Sequence, residues 1–184
     1  MAPTHVVVGP IVALPALAVA PEAAPAAALA AMVGGLLPDV DLLTGRHRKT
    51  LHFPALYWLP AAAAAAVAAV TGAVAALAAA ALFANAAVHS LSDWLGAGDE
   101  PRPWEATEDR AVYLHPARRW LSAKRWIRYD GAPEDVAVAL VCALPGLALY
   151  GPTVRTATAV AVAVGVVYGL VRKHVPKYVE PIIE

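Results

Sequence analysis

The chain is built from long apolar blocks rather than from alternating or amphipathic patterns. Residues 51–88 contain no Asp, Glu, Lys or Arg, and the same holds for residues 136–154 and 156–171. Uncharged apolar runs of about 18 residues or more are typical of transmembrane helices. We therefore predict an all-α fold, a polytopic membrane helical bundle, in which residues 1–184 form a single integral membrane domain.

Proline, glycine and polar residues divide these blocks into about six apolar helices. We predict the helices at residues 6–20, 23–37, 51–70, 73–95, 135–150 and 154–171. The first two are short, and Pro21 and Glu22 between them predict a tilted hairpin. If these two segments instead formed one kinked helix, His5 would lie on the opposite side of the membrane. Thr50 is the predicted N-cap of the third helix.

Composition and the placement of charge add an orientation to this fold. Charged residues make up only 15% of the chain, against about 25% in soluble domains. Six spans place both chain termini and the loops 38–50 and 96–134 on one side, and 13 of the 14 Lys and Arg residues fall there. Arg155 alone lies on the other side. Because cytoplasmic loops are enriched in Lys and Arg, we predict a multi-pass cell-membrane protein with both termini in the cytoplasm.

The predicted cytoplasmic loop 96–134 contains a basic and aromatic stretch at residues 116–129. Pro116 suits the first position of a helix, and Trp120, Trp126 and Tyr129 suit the headgroup region of a bilayer. We predict an interfacial helix that anchors the loop to the lipid bilayer. The alternative is a basic rim that guides a phosphate-bearing lipid. Nucleic-acid binding is not expected, because the topology already places these basic residues.

Ionisable side chains are gathered at the predicted cytoplasmic ends of four separate segments. His89 and Asp93 are four residues apart and share a helix face, whereas His47 and His52 suit a loop and the first turn of the next helix. Seven such residues could meet in one pocket at the membrane surface, and we predict all of them as metal ligands. They are His5, Asp39, Asp41, His47, His52, His89 and Asp93.

A mixed set of imidazoles and carboxylates is typical of a divalent transition-metal site. Zn is the first expectation, as one or two ions, and the donor set also suits Mn, Fe or Ni. Taken singly, each feature has a simpler interpretation. A lone histidine at a helix end is commonly interfacial, and Pro38-Asp39-Val40-Asp41 alone could be a helix stop with an Asx turn. The convergence of four segments favours the metal site.

The motifs in this order resemble the YdjM-like family of membrane-bound, metal-dependent hydrolases, also described as LexA-binding and inner-membrane-associated. The resemblance rests on "GGLLPDVD", on "HRKTLH" and on "HSLSD", which supply Asp39, Asp41, His47, His52, His89 and Asp93. The chain departs from the family pattern at Lys49, where glycine is common, and at Leu51, where threonine is usual. The resemblance implies a hydrolase, with a weaker similarity to zinc-dependent phospholipase C-like enzymes, and implies no particular substrate.

Two functions therefore follow from the sequence. The first is a membrane-embedded metal-dependent hydrolase that acts on a phosphoester or ester of a lipid-like substrate, with Asp39, Asp41 and His89 as catalytic residues. Which carboxylate acts as general base does not follow from spacing. The second is a non-catalytic membrane scaffold or metal-binding protein. Transport is disfavoured because the polar cluster lies at one end of the helices rather than at the bilayer midplane.

Overall fold

A computed structural model describes residues 2–177 of the chain. Seven α-helices and one small sheet account for most of these residues. The helices are α1 (Ala2–Val12), α2 (Leu14–Val19), α3 (Ala24–Gly34), α4 (Trp58–Thr71), α5 (Val74–Ser92), α6 (Pro133–Ala148) and α7 (Pro152–Val171). The strands are β1 (Arg110–Leu114) and β2 (Arg119–Ser122), and a short 3-10 helix covers Pro38–Leu42.

Local chemistry explains where these helices begin and end. Pro133 and Pro152 occupy the first turns of α6 and α7, where proline costs no backbone hydrogen bond. Gly72 ends α4 with a left-handed φ of 68°, a conformation that glycine adopts without a steric penalty. The predicted N-cap role of Thr50 is wrong. Its Oγ1 accepts a hydrogen bond from the Arg46 backbone N–H, and the next helix begins only at Trp58.

The membrane bundle is organised around α3 and α5. Helices α1 and α2 run antiparallel to α3, as the predicted hairpin requires, and alanines fill the contact between them, including Ala27, Ala28 and Ala31. At Gly34 a Cβ atom would collide with the Leu82 carbonyl oxygen on α5. Small side chains therefore let the helix backbones approach closely, as is common in membranes where dispersion replaces the hydrophobic effect.

Four segments of the described chain are long and apolar enough to cross a membrane. They are Ala2–Val19, which combines α1 and α2, then Ala24–Leu42, Val74–Leu95 and Pro152–His174. Large apolar side chains on their outer faces are exposed, for example Val167 at 60% and Leu170 at 77%, as expected for lipid-facing positions. These observations indicate a membrane protein.

Four of the six predicted spans correspond to segments that are long and apolar enough to cross a membrane, and the count of about six is not confirmed. Helix α4 has 14 residues, which rise only about 21 Å against a hydrocarbon core of about 30 Å. It is shorter than predicted because residues 51–57 form turns ahead of it. Helix α6 has 16 residues and carries Glu134 and Asp135 in its first turn, so its apolar part is shorter still.

The predicted interfacial helix at residues 116–129 is wrong, although the described chain is mostly helical, as predicted, with only two short strands. Strands β1 and β2 form an antiparallel hairpin here, with Tyr113 opposite Trp120 and Leu114 opposite Arg119. Arg118 adopts a left-handed φ of 48° at the turn between them. Strand pairing is favoured over a helix here because the rings of Tyr113 and Trp120 pack across the two strands, 5.5 Å between centroids, and stabilise the hairpin.

Candidate metal centre

The seven predicted ligands lie together at one end of the bundle. Four elements supply them: α1, the 3-10 helix after α3, the loop before α4, and the C-terminal end of α5. His5 belongs to this group because α1 and α3 form a hairpin, so the alternative of one kinked helix is excluded. The seven residues are His5, Asp39, Asp41, His47, His52, His89 and Asp93. The side chains of Asp39 and His47 are 22% and 24% exposed, and each of the other five is no more than 9% exposed.

His89 occupies the last turn of α5 and is held in one orientation. Its Nδ1 lies 2.6 Å from the carbonyl oxygen of Gly35, which can only accept a hydrogen bond. Nδ1 therefore donates, and in the neutral ring the lone pair is on Nε2. That Nε2 is buried and forms no hydrogen bond within the described part of the chain, although Asp39 Oδ1 lies 3.3 Å away and Asp93 Oδ2 lies 3.5 Å away.

His52 repeats this arrangement from the loop before α4. Its Nδ1 donates to Asp41 Oδ2 over 2.9 Å, and its buried Nε2 forms no hydrogen bond to any described residue. The nearest carboxylate oxygens to Nε2 are Asp93 Oδ2 at 3.1 Å and Asp39 Oδ1 at 3.7 Å. Burial opposes a charge on His52, but the carboxylates of Asp41 and Asp93 outweigh it and raise the pKa of the imidazole. The same carboxylates would favour a bound cation.

Asp41 is fully enclosed, and both of its carboxylate oxygens are used within the protein. Oδ1 accepts from His47 Nδ1 over 2.9 Å, and Oδ2 accepts from His52 Nδ1 over 2.9 Å and from the Leu51 backbone N–H over 3.2 Å. The carboxylate therefore fixes two imidazole rings and the loop between them. This is the position of an outer-shell partner in carboxylate–histidine–metal arrangements.

His5 completes the cluster from α1. Its ring stacks on His89 with centroids 3.7 Å apart, and its Nε2 lies 3.3 Å from Asp93 Oδ1. Its Nδ1 lies 3.3 Å from the Ser92 hydroxyl. Asp93 thus presents one oxygen to His5 and the other to His52 and His89.

The residues present fit a divalent cation by their chemistry and their spacing. Among residues 2–177, three groups have ligand atoms close enough to share an ion, namely His5 with His89 and Asp93, Asp39 with His52 and His89, and Asp41 with His47 and His52. The buried Nε2 atoms of His52 and His89 have no hydrogen bond from residues 2–177 but have carboxylate oxygens within 3.7 Å. Two orphaned imidazole nitrogens facing two carboxylates form a donor set that suits a transition metal.

Several supporting residues were not predicted as functional. Asn85 lies one turn before His89, and its amide donates to the carbonyls of His5 over 2.9 Å and Ala31 over 2.7 Å. It thereby joins α1 and α3 to α5 directly beneath the cluster. The sequence signal was the spacing, since Asn85 precedes His89 by four residues and shares its helix face.

A second group of unpredicted residues forms a wall beside the cluster. Arg172 binds Asp130 through Nε and Nη2, each over 2.9 Å, and the Tyr168 hydroxyl also donates to Asp130. Tyr168 and Arg172 are four residues apart at the end of α7, which is the signal that could have identified them. His115, in contrast, packs against Phe53 and Tyr113 outside the cluster.

Comparison with known proteins adds no relative to this picture. No protein-family model matches the chain, and neither does any curated protein or solved structure. The candidate metal centre therefore has to be interpreted from its own geometry.

Proposed function

We propose that this protein is a membrane-embedded, metal-dependent hydrolase of the YdjM-like type, acting on a phosphoester or ester of a lipid-like substrate. One observation carries the proposal. Two buried imidazole nitrogens, which form no hydrogen bond within the described chain, face two carboxylates at one end of the helix bundle. Buried ionisable groups near a bilayer are costly and are retained where they serve a function.

Four of the seven residues are best placed to hold a single ion. The ligand-to-ligand distances from His52 Nε2 and His89 Nε2 to the Asp39 and Asp93 oxygens are 3.1, 3.3, 3.5 and 3.7 Å. A tetrahedral ion with bonds of about 2.0–2.2 Å separates its ligand atoms by about 3.3–3.6 Å. Zn fits this spacing, and Mn, Fe or Ni fit the donor chemistry. His5 is an additional candidate ligand, because its Nε2 lies 3.3 Å from Asp93 Oδ1.

The hydrolytic chemistry divides between the ion and the protein. A bound divalent cation lowers the pKa of a water molecule and polarises a phosphoryl or carbonyl oxygen. Asp39 and Asp93 supply negative charge, and His89 is held in the correct tautomer by Gly35. Asp41 acts as a positioning residue because both of its oxygens are occupied by His47, His52 and the loop backbone.

His47 is the residue best placed to move a proton. Its Nδ1 donates to Asp41 over 2.9 Å, while the ring is 24% exposed and lines a cavity beside the cluster. A histidine whose Nδ1 is held by a buried carboxylate presents a basic Nε2 to its surroundings. We therefore assign His47 as a general base or acid rather than as a ligand of this ion.

The proposed location follows from the charge distribution. The Lys and Arg residues at the end that carries the cluster predict a cytoplasmic position for it and for both termini. The β1–β2 hairpin there stacks Arg46 over Trp120, with the guanidinium carbon 4.8 Å from the ring centroid. Trp126 nearby is 71% exposed, which suits contact with lipid headgroups. Partners other than lipid are not proposed.

Metal content of the detergent-purified protein, measured by elemental mass spectrometry, tests the proposal. We expect about one equivalent of a transition metal in the wild type and in Asp109→Asn, a surface control whose carboxylate is 62% exposed. Asp39→Asn and His89→Ala should each lose the ion. If the wild type binds no metal after incubation with Zn, Mn, Fe or Ni, the hydrolase is excluded and a non-catalytic scaffold becomes the better explanation.

A further inference from the structure

Two adjoining cavities lie beside the metal centre and differ in character. The first, about 430 Å³, lies between α1, the 3-10 helix and α7. The second, about 520 Å³, lies under the loop 98–103. The two share a boundary formed by five residues. These are Leu42, His47, Arg48, Asp130 and Tyr168.

The first cavity is amphipathic along its length. Apolar side chains from three membrane helices form most of its wall, namely Val6, Leu36, Ala161 and Val164 together with Leu42. Asp39, Asp93 and His47 lie at its polar end. Its volume is within the range of about 300–1,000 Å³ that ligand pockets have. Val164, on this wall, is 54% exposed, so the cavity is open to the surroundings of α7 and not enclosed within the bundle.

Two arginines, Arg48 and Arg172, line the second cavity, but only Arg48 also lines the first. Their charges are used differently. Arg172 is neutralised by Asp130 through a two-pronged ion pair at 2.9 Å. Arg48 has no carboxylate partner among residues 2–177, and its buried Nε forms no hydrogen bond there. An uncompensated guanidinium beside a cavity favours an anion, and its planar donors match the oxygens of a phosphate group.

The backbone around Arg48 holds the side chain in place. Its Nη1 donates to the carbonyl of Ala97 over 2.6 Å and to that of Ala111 over 3.4 Å. Its own carbonyl accepts from the Tyr113 backbone N–H over 3.0 Å, which links the residue to β1. Arg48 also has a left-handed φ of 57°, which costs an L-residue energy and indicates that the surrounding contacts impose the conformation.

We propose that Arg48 binds the phosphate group of a phosphorylated amphiphile whose apolar tail occupies the first cavity. The proposal rests on the hydrolase function above and names the substrate class as a membrane-embedded phosphate ester. The tail contacts Val6, Ala161 and Val164, and the phosphate lies between Arg48 and the metal centre. Residues 116–129, the alternative basic rim, line neither cavity.

Binding of dodecylphosphonate, whose C–P bond resists hydrolysis, tests this proposal without requiring turnover. Isothermal titration calorimetry in a neutral detergent is run on wild type, Arg48→Gln and Arg46→Gln, with metal content measured on the same samples. Arg46 is the matched control because it neighbours the site but stacks on Trp120 and lines neither cavity. We expect Arg48→Gln to weaken binding at least about tenfold with its metal content unchanged, and Arg46→Gln to match the wild type.

The role of the tail is tested by narrowing the cavity. Val164→Trp should weaken dodecylphosphonate binding at least about fivefold, because the added ring occupies the space for buried methylenes. Val167→Trp is its control, since Val167 is 60% exposed on the same helix and does not line the first cavity. This pair also carries the test if Arg48→Gln fails to fold.

Three results would overturn the proposal. These are equal binding by Arg48→Gln and Arg46→Gln, equal binding by the two tryptophan variants, and displacement of dodecylphosphonate by equimolar methylphosphonate. The last result would indicate a soluble phosphate compound as the ligand. Failure of the metal site itself is recognised separately, because metal content is measured on every sample. Dodecylphosphonate binding that depends on Arg48 in a metal-free protein would support a lipid site without the hydrolase.

Discussion

Replacing Asp41 with asparagine separates the two tasks that its carboxylate performs. Oδ2 accepts from His52 Nδ1 and from the Leu51 backbone N–H, while Oδ1 accepts from His47 Nδ1. The single oxygen of asparagine can satisfy only one of these positions. At the Oδ2 position it satisfies two N–H groups at once, so the amide NH₂ should turn toward His47.

This orientation predicts unequal effects on the two histidines. His52 keeps its Nδ1–H donor and therefore its Nε2 lone pair, but it loses the negative charge behind the ring. Loss of such an outer-shell partner lowers metal affinity about 10- to 100-fold, which corresponds to about 1.4–2.7 kcal/mol. His47, facing an NH₂ donor, should change tautomer and carry its proton on Nε2, where it can no longer accept one. An equivalent change behind a catalytic histidine lowers kcat about 10⁴-fold.

Two measurements distinguish these effects. Competition with a chromogenic chelator gives the zinc affinity of the wild type, Asp41→Asn and the surface control Asp109→Asn. Hydrolysis of a chromogenic dodecyl phosphodiester at saturating zinc gives turnover once the ion is bound. We expect turnover of Asp41→Asn to stay at least about 10³-fold below that of the wild type when the metal site is full.

Two outcomes would refute the reasoning. If Asp41→Asn loses zinc as completely as His89→Ala, Asp41 is itself a ligand rather than a positioning residue. If excess zinc restores turnover to that of the wild type, His47 does not transfer the proton. ¹⁵N NMR of the His47 ring reports the tautomer directly and does not depend on activity.

Three further predictions concern packing and topology. Gly34→Ala should lower the free energy of unfolding in detergent by about 1–3 kcal/mol or more, because the added Cβ would collide with the Leu82 carbonyl oxygen. Gly151→Ala is the control, since its Cβ enters open space and should leave stability unchanged. Equal thermal midpoints for the two variants would contradict the close helix contact. Asn85→Ala should cost about 1–3 kcal/mol, because it removes two hydrogen bonds from the amide; an unchanged midpoint would show that they contribute nothing. In a Cys142→Ala background, an impermeant maleimide should label Gly151→Cys in intact cells and label Ser122→Cys only after permeabilisation; the reverse pattern would invert the proposed orientation.

The membrane character and the identity of the clustered residues followed from the sequence alone. Uncharged apolar runs have few other stable arrangements, because a backbone in lipid must satisfy its own hydrogen bonds within a helix. The His and Asp residues stood out because they interrupt such runs at helix ends. The helix topology then places all seven His and Asp residues at one end of the bundle. His5 reaches that end because α1 and α3 form a hairpin.

Helix lengths and the loop structure were predicted less well. Residues 51–57 are apolar and look helical by composition, yet they form turns in which Asp41 binds His52 and the Leu51 N–H. Polar contacts to another segment override local propensity there. In the same way, the Tyr113–Trp120 pair converts a predicted interfacial helix into a strand hairpin. Both errors arose where a distant residue supplied the decisive interaction.

The division of roles within the cluster was decided by tertiary structure. Spacing could not show that Asp41 faces two histidines while Asp39 and Asp93 face the free nitrogens of His52 and His89. It also could not show that Arg172 is neutralised by Asp130 and Arg48 is not. These distinctions depend on side-chain orientation and on contacts between distant segments. Residue type and periodicity along the chain determine which groups can meet, and only packing determines which atoms face one another.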